Sequence, residues 1–317
     1  MAQDTTIQAP ITMRDATGSD RWLRAALLGI VTLWGLNFVI IKVGLEQFDA
    51  LVFCSLRQLL GVAVLVAILI VRRTRVRLTR RDAFFVLPLA AAGLTAGQIT
   101  FHFGMASTTA TNAAIIVATV PMTVALTNQV LRLEHLKPQN WAGVVLSLAG
   151  VGLIFGGEAS LDVMSRHFKG NLWMLLSNVF WVTYIVMARP LMRRVPPLVL
   201  AALCMALGLP VMLLLAGPGM FTMQWSAVTF SGWAALLFAG VVAFGLGQVI
   251  WTRSIHFLGG TRTTVYGNVI PVVAVVAAAF FLDERMTAMQ MIGGASVIVG
   301  VVLTQRGHEP TERQKEF

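Results

Sequence analysis

Charge is what this sequence has least of. Asp, Glu, Lys and Arg supply 12% of its 317 residues and apolar residues 57%, against about 25% charged in an ordinary soluble domain; a water-soluble fold is excluded. Carboxylates are scarcer still, 14 in all, and none falls in the middle of an apolar run. A carrier for organic cations holds its cargo on an intramembrane carboxylate, so that class is disfavoured. The two cysteines, Cys54 and Cys204, lie in separate apolar segments, which leaves neither a disulfide framework nor a thiolate metal site. Histidines 102, 135, 167, 256 and 308 are dispersed, and there is no HExxH and no in-span Asp pair. An intramembrane enzyme, one alternative to a carrier, therefore lacks clustered nucleophile, base or metal ligands. No GxxxxGK[ST] loop is present, so the chain by itself is not an ATP-driven pump. Neither a metal nor a cofactor is expected.

Long polar stretches are missing too. Ten apolar runs, at about 23–43, 50–71, 84–105, 112–131, 140–156, 171–189, 198–216, 231–252, 263–282 and 287–304, are near the roughly 20 residues a spanning helix needs. Short connections leave no room for a soluble domain. Residues 1–22 and 305–317 read as polar cytoplasmic tails, the first without the apolar core and cleavage site of a signal peptide. With the N-terminus inside, nineteen Lys and Arg fall on the inner side against Arg166, Lys169 and Arg285 outside. That bias predicts both termini in the cytoplasm. The formal charge of +10 is thus a topology signal and not a nucleic-acid footprint.

What the sequence does have is repetition. Gly97 to Leu153 returns, shifted by 150 without a gap, as Gly247 to Leu303: Gly97-Gln98 as Gly247-Gln248, Thr111 as Thr261, Pro121 as Pro271, Glu134 as Glu284, Gly143 as Gly293, and Gly150-Val151-x-Leu153 as Gly300-Val301-x-Leu303. At an offset of 147, Trp34 pairs with Trp181, Lys42 with Arg189, Leu56 with Leu203 and Leu60-Gly61 with Leu207-Gly208. The chain therefore divides into two copies, 23–157 and 171–304. Five spans per copy is an odd number, so the second copy enters the membrane from the opposite face. The expected fold is an all-α integral membrane protein whose ten transmembrane helices form two inverted five-helix repeats. Such halves exchange conformations around a central site, the basis of alternating access. A membrane sensor that transports nothing, the other alternative, gives duplicated antiparallel halves no purpose.

Buried polar side chains are the candidates for that site. Gln98 and His102 share a helical face; Gln248, Trp251 and Thr252 repeat it in the second copy. Trp34 with Asn37, and Trp181 with Tyr184, do the same in spans 1 and 6. These residues, with Tyr266 and Asn268 beside Pro271, are read as substrate-lining, the competing reading being interhelical glue and packing. Arg57 either clamps a substrate carboxylate or, in a gating or structural role near the outer end of span 2, snorkels to water or ties helix ends together. Pro121 and Pro271 free the carbonyls of Val117 and Gly267, as kinks or as part of the site. Glu134 and Glu284 open the turns into spans 5 and 10, where a negative charge suits a helix N-terminus. Gly143 with Ser147, and Gly293 with Val297, give small-xxx-small spacing for close packing within the chain or between protomers. Of the ionisable groups, His102 has the intrinsic pKa to couple protons.

Leu33-Trp34-Gly35-Leu36-Asn37-Phe38, Phe53-x-x-Leu56-Arg57, the Thr-rich stretch from Ala106 to Pro121, and Phe281-Leu282-Asp283-Glu284-Arg285 followed by Gln290-x-x-Gly293 and Gly300-Val301 resemble the drug/metabolite transporter superfamily, specifically its EamA-type ten-helix exporters. The likeness covers residues 22 to 305. It implies a bacterial inner-membrane carrier, monomer or homodimer, exporting small metabolites, with amino acids as common cargo. The residues themselves favour neutral or zwitterionic cargo, and aromatic walls suit a bulky apolar one. Protons are a candidate coupling ion. The copies have diverged: Arg57 faces Cys204 at the matching position, so substrate contacts need not obey the two-fold.

Overall fold

A computed structural model describes residues 16–73, 78–132, 135–156, 166–192, 195–258, 263 and 266–305. Among the described residues ten helical segments follow one another: α1 (Ala16–Leu45), α2 (Ala50–Val71), α3 (Asp82–Ser107), α4 (Ala110–Val130), α5 (Pro138–Gly156), α6 (Arg166–Met192), α7 (Pro197–Thr222), α8 (Phe230–Leu258), α9 (Val269–Phe281) and α10 (Ala288–Gln305). Nine are long and apolar enough to cross a membrane; the described part of α9 is 13 residues. The first helix starts at Ala16, inside the stretch read as a polar tail. Their outer surfaces carry exposed Phe84, Phe85, Leu214, Phe221 and Phe280, as lipid-facing helices do.

The principal helix pairs map onto one another under exchange of the halves. Helix α3 lies along α6 as α1 lies along α8; α1 meets α9 as α6 meets α4; α2 meets α8 as α7 meets α3. The pairs α5–α10, α2–α7 and α4–α9 map onto themselves, which places the pseudo-dyad between them. At the α5–α10 crossing a Cβ on Gly150 would sit 2.5 Å from the Gly293 carbonyl, and one on Gly293 would sit 2.6 Å from that of Gly150. Gly143 and Gly300 repeat the pair at 2.5 and 2.6 Å. The small-residue spacing of spans 5 and 10 is therefore spent inside one chain. No apolar driving force separates helix from lipid, so backbone contact of this kind is what holds such a pair.

Both copies break their fourth span. Helix α4 is interrupted by a turn at Ala118 and Thr119, and Asn268, which is Ala118 shifted by 150, is a turn residue ahead of α9. Pro121 and Pro271 thus sit in the first turn of the helices that follow the breaks, where a missing N–H costs nothing. The carbonyl actually taken up in the first break is that of Ile116, not Val117. It accepts from Thr119 N at 3.0 Å, Thr119 Oγ1 at 2.7 Å and Asn178 Nδ2 of α6 at 2.7 Å.

Helix α8 departs from α geometry. Phe238–Leu246 is π-helical, and Gly240 and Gly245 let α2 press against it: a Cβ would lie 2.7 Å from Leu60 Cβ at the first and 2.9 Å from Val64 Cβ at the second.

Candidate functional site

Two carbonyls of the π-helical stretch accept side-chain donors from neighbouring helices. Arg57 Nε donates to Ala239 O at 3.3 Å, and Trp34 Nε1 donates to Ala243 O at 2.7 Å. One π-helical stretch of α8 therefore receives a cation from α2 and an indole from α1.

Arg57 is the centre of the buried polar groups, at 7% exposure. Its Nη1 donates to Gln98 Oε1 at 3.3 Å and to His102 Nε2 at 3.2 Å, and its guanidinium lies 4.4 Å from the Phe244 ring centroid. The snorkelling alternative fails: α2 begins at Ala50, capped by Asp49 Oδ1 on the amides of Leu51 and Val52, and two turns on the Arg57 side chain points into the bundle. Among the described residues no carboxylate touches it.

His102 is held in one tautomer. Its Nδ1 stands 2.7 Å from the Gln98 carbonyl, which only accepts, so Nδ1 carries the proton. Nε2 faces an arginine nitrogen, which only donates, so Nε2 is the acceptor. The neutral ring satisfies both contacts. Phe53 and Phe101 flank it, with ring centroids at 6.0 and 5.4 Å.

The remaining expected site residues separate into two aromatic groups. Trp34 and Trp251 pack at 5.2 Å in a cluster with Tyr266. Trp181 and Tyr184 pack at 5.4 Å in a different cluster with Val62 and Leu94. Asn37 is buried, and its Oδ1 has no hydrogen-bond partner among the described residues. Gln248 is half-buried, and Asn268 is exposed at the helix break, apart from the Arg57 group. The structure thus joins Arg57, Gln98 and His102 directly and leaves Asn268 outside.

The two glutamates part company. Glu134 lies outside the described residues. Glu284 caps α4 and not the helix that follows it, accepting from the amides of Ala110 at 2.8 Å and Thr111 at 2.9 Å. Helix α10 has its own capping box, Thr287 with Gln290: Thr287 Oγ1 accepts from Gln290 N at 3.2 Å, and Gln290 Oε1 accepts from Thr287 N at 2.8 Å. Gln290 Nε2 also donates to Asn112 Oδ1 at 3.0 Å. Sequence reasoning missed Asn178, Gln58 and Thr95. A signal existed in each case, a polar side chain inside an apolar span.

A membrane-embedded bundle of two inverted halves around a sparse polar centre defines a multi-pass carrier-type protein. The sequence profile of the EamA-like transporter family matches residues 22–156 and again 168–306, and the chain belongs to that family. It is 30% identical over 292 residues to a probable amino-acid metabolite efflux pump of Salmonella typhimurium (strain LT2), spanning 88% of this chain and 93% of that protein. It is 28% identical over 288 residues to a probable terminal-alkyne amino-acid exporter of Streptantibioticus cattleyicolor, spanning 89% and 92%. A solved structure titled only as a crystal structure of a protein superposes with a TM-score of 0.61 at 18% identity, covering 87% of this chain and 98% of its own; it shares the fold.

Proposed function

We propose that the chain exports small zwitterionic metabolites, amino acids first among them, by alternating access, with the Arg57 guanidinium receiving the cargo's carboxylate. The observation that carries this reading is Arg57 itself: a cation at 7% exposure whose contacts are a carbonyl, an amide, an imidazole and an aromatic ring. A buried charge is costly unless paired, and a carboxylate pairs with guanidinium through two parallel hydrogen bonds. Two relatives named for amino-acid efflux or export support the same class. Trp34, Trp251 and Tyr266 on one side, and Trp181 and Tyr184 on the other, are the apolar walls in this reading, with Gln98 and Gln248 on matched faces of the two copies. Rocking of the halves opens the site alternately to each face, with both termini in the cytoplasm of a bacterial inner membrane. Protons are the coupling ion to test first, with His102 as their carrier.

The test is counterflow in proteoliposomes, with a panel of labelled amino acids and nucleosides, with and without a proton gradient. Uptake of amino acids is expected. If no solute moves under either condition, the carrier reading fails.

A further inference from the structure

All four buried side-chain atoms that lack a hydrogen bond among the described residues are oxygens: Asn37 Oδ1, Gln58 Oε1, Thr95 Oγ1 and Thr111 Oγ1. Two of them meet. Thr95 Oγ1 lies 1.9 Å, and Gln58 Nε2 3.5 Å, from the point where a Cβ on Gly208 would be, so the bare glycine of α7 is the floor on which both rest. Gln58 is 1% exposed and Thr95 7%. Gln58 spends its amide nitrogen on the Met205 carbonyl at 2.9 Å, leaving its oxygen unmet. An unmet oxygen in a closed interior destabilises the fold.

Their position relative to Arg57 is set by helix geometry. Gln58 follows Arg57 in α2, and Thr95 precedes Gln98, the Arg57 ligand, by one turn of α3, about 5 Å. The same stretches of α2 and α3 therefore carry a cation that no described carboxylate touches and two oxygens that no described donor meets. Under exchange of the halves, Arg57-Gln58 corresponds to Cys204-Met205 and Thr95 to Gly245, so this polarity belongs to one copy alone. Packing does not require it, because the other copy packs its image without it.

We propose that Gln58 and Thr95 form an ammonium subsite beside Arg57, reached when the seam between α2, α3 and α7 opens, so that an α-amino acid binds by both of its charged ends. An ammonium brings three donors and no acceptor, the complement of unmet oxygens. A bare amine is repelled by Arg57, and a bare carboxylic acid leaves the oxygens unmet. The inference rests on the reading of Arg57 given above.

The experiment measures binding of labelled phenylalanine to the purified full chain, with unlabelled 3-phenylpropionate, which lacks the amine, and phenethylamine, which lacks the carboxylate, as competitors. Wild type is expected to prefer phenylalanine over both. Thr95→Val and Gln58→Met, the latter taking the residue found in the other copy, are each expected to cut the preference over 3-phenylpropionate about tenfold. Affinity for 3-phenylpropionate itself stays at the wild-type value, which shows that the variants fold, and Thr95→Ser keeps the preference. Unchanged preference in both variants, or equal loss of phenylalanine and 3-phenylpropionate, overturns the subsite and leaves Arg57 standing. A wild type that takes neither compound overturns the Arg57 reading and the subsite with it.

Discussion

His102 Nε2 faces Arg57 Nη1 at 3.2 Å, while the other nitrogen of the ring sits 2.7 Å from a carbonyl of its own helix. The ring is thereby fixed between a donor and an acceptor, with one proton on Nδ1. Nitrogen-15 shifts of labelled histidine should show a protonated Nδ1 and an unprotonated Nε2 for this residue in the unliganded protein. The Nε2–H tautomer would contradict the geometry.

Removing the ring tests coupling. His102→Ala should abolish any proton dependence of transport while leaving exchange in place. A proton dependence equal to that of wild type in this variant takes His102 out of the mechanism.

The α5–α10 crossing makes a prediction about stability alone. Gly150→Ala places a methyl 2.5 Å from the Gly293 carbonyl, and such overpacking costs about 1–3 kcal/mol. Gly152, two residues on, has nothing within 4 Å of its would-be Cβ, so Gly152→Ala should be neutral or stabilising by up to about 1 kcal/mol. Thermal unfolding in detergent should lower the midpoint for the first and not for the second.

Glu284 ties the second copy to the first by capping α4. Glu284→Ala strips two amides of their acceptor and should cost about 0.5–2 kcal/mol; Glu284→Gln keeps an acceptor and should cost less. The same unfolding measurement orders the three proteins, and equal midpoints would mean that the cap contributes nothing.

Much of the architecture was legible because repetition leaves marks that composition cannot imitate. Gly97 and Gly247, Trp34 and Trp181 recur in the sequence, and in space Gly97 lies against the Trp181 backbone and Gly247 against the Trp34 indole. The site was legible only in part. Gln98 and His102 stood out as polar residues on one helical face, but Arg57 was ambiguous, since depth in the chain does not fix the direction of a side chain. The π-helical turn of α8 has no sequence signature of its own; it arises where Gly240 and Gly245 admit α2. Gln58 and Thr95 stayed hidden because a lone Gln or Thr in a span is ordinary. Both rest on Gly208, contributed by a third helix.

The central claim is that Arg57 keeps its charge unpaired for the cargo. Arg57→Met removes that charge. The neutral acceptors left behind cost about 1–3 kcal/mol, offset by no longer burying a cation, so the variant should fold. Counterflow of a labelled amino acid by purified Arg57→Met, with its unfolding midpoint measured on the same preparation, is the direct test. A loss of roughly tenfold to a hundredfold with the fold retained is the predicted result; wild-type counterflow in the folded variant would contradict the account.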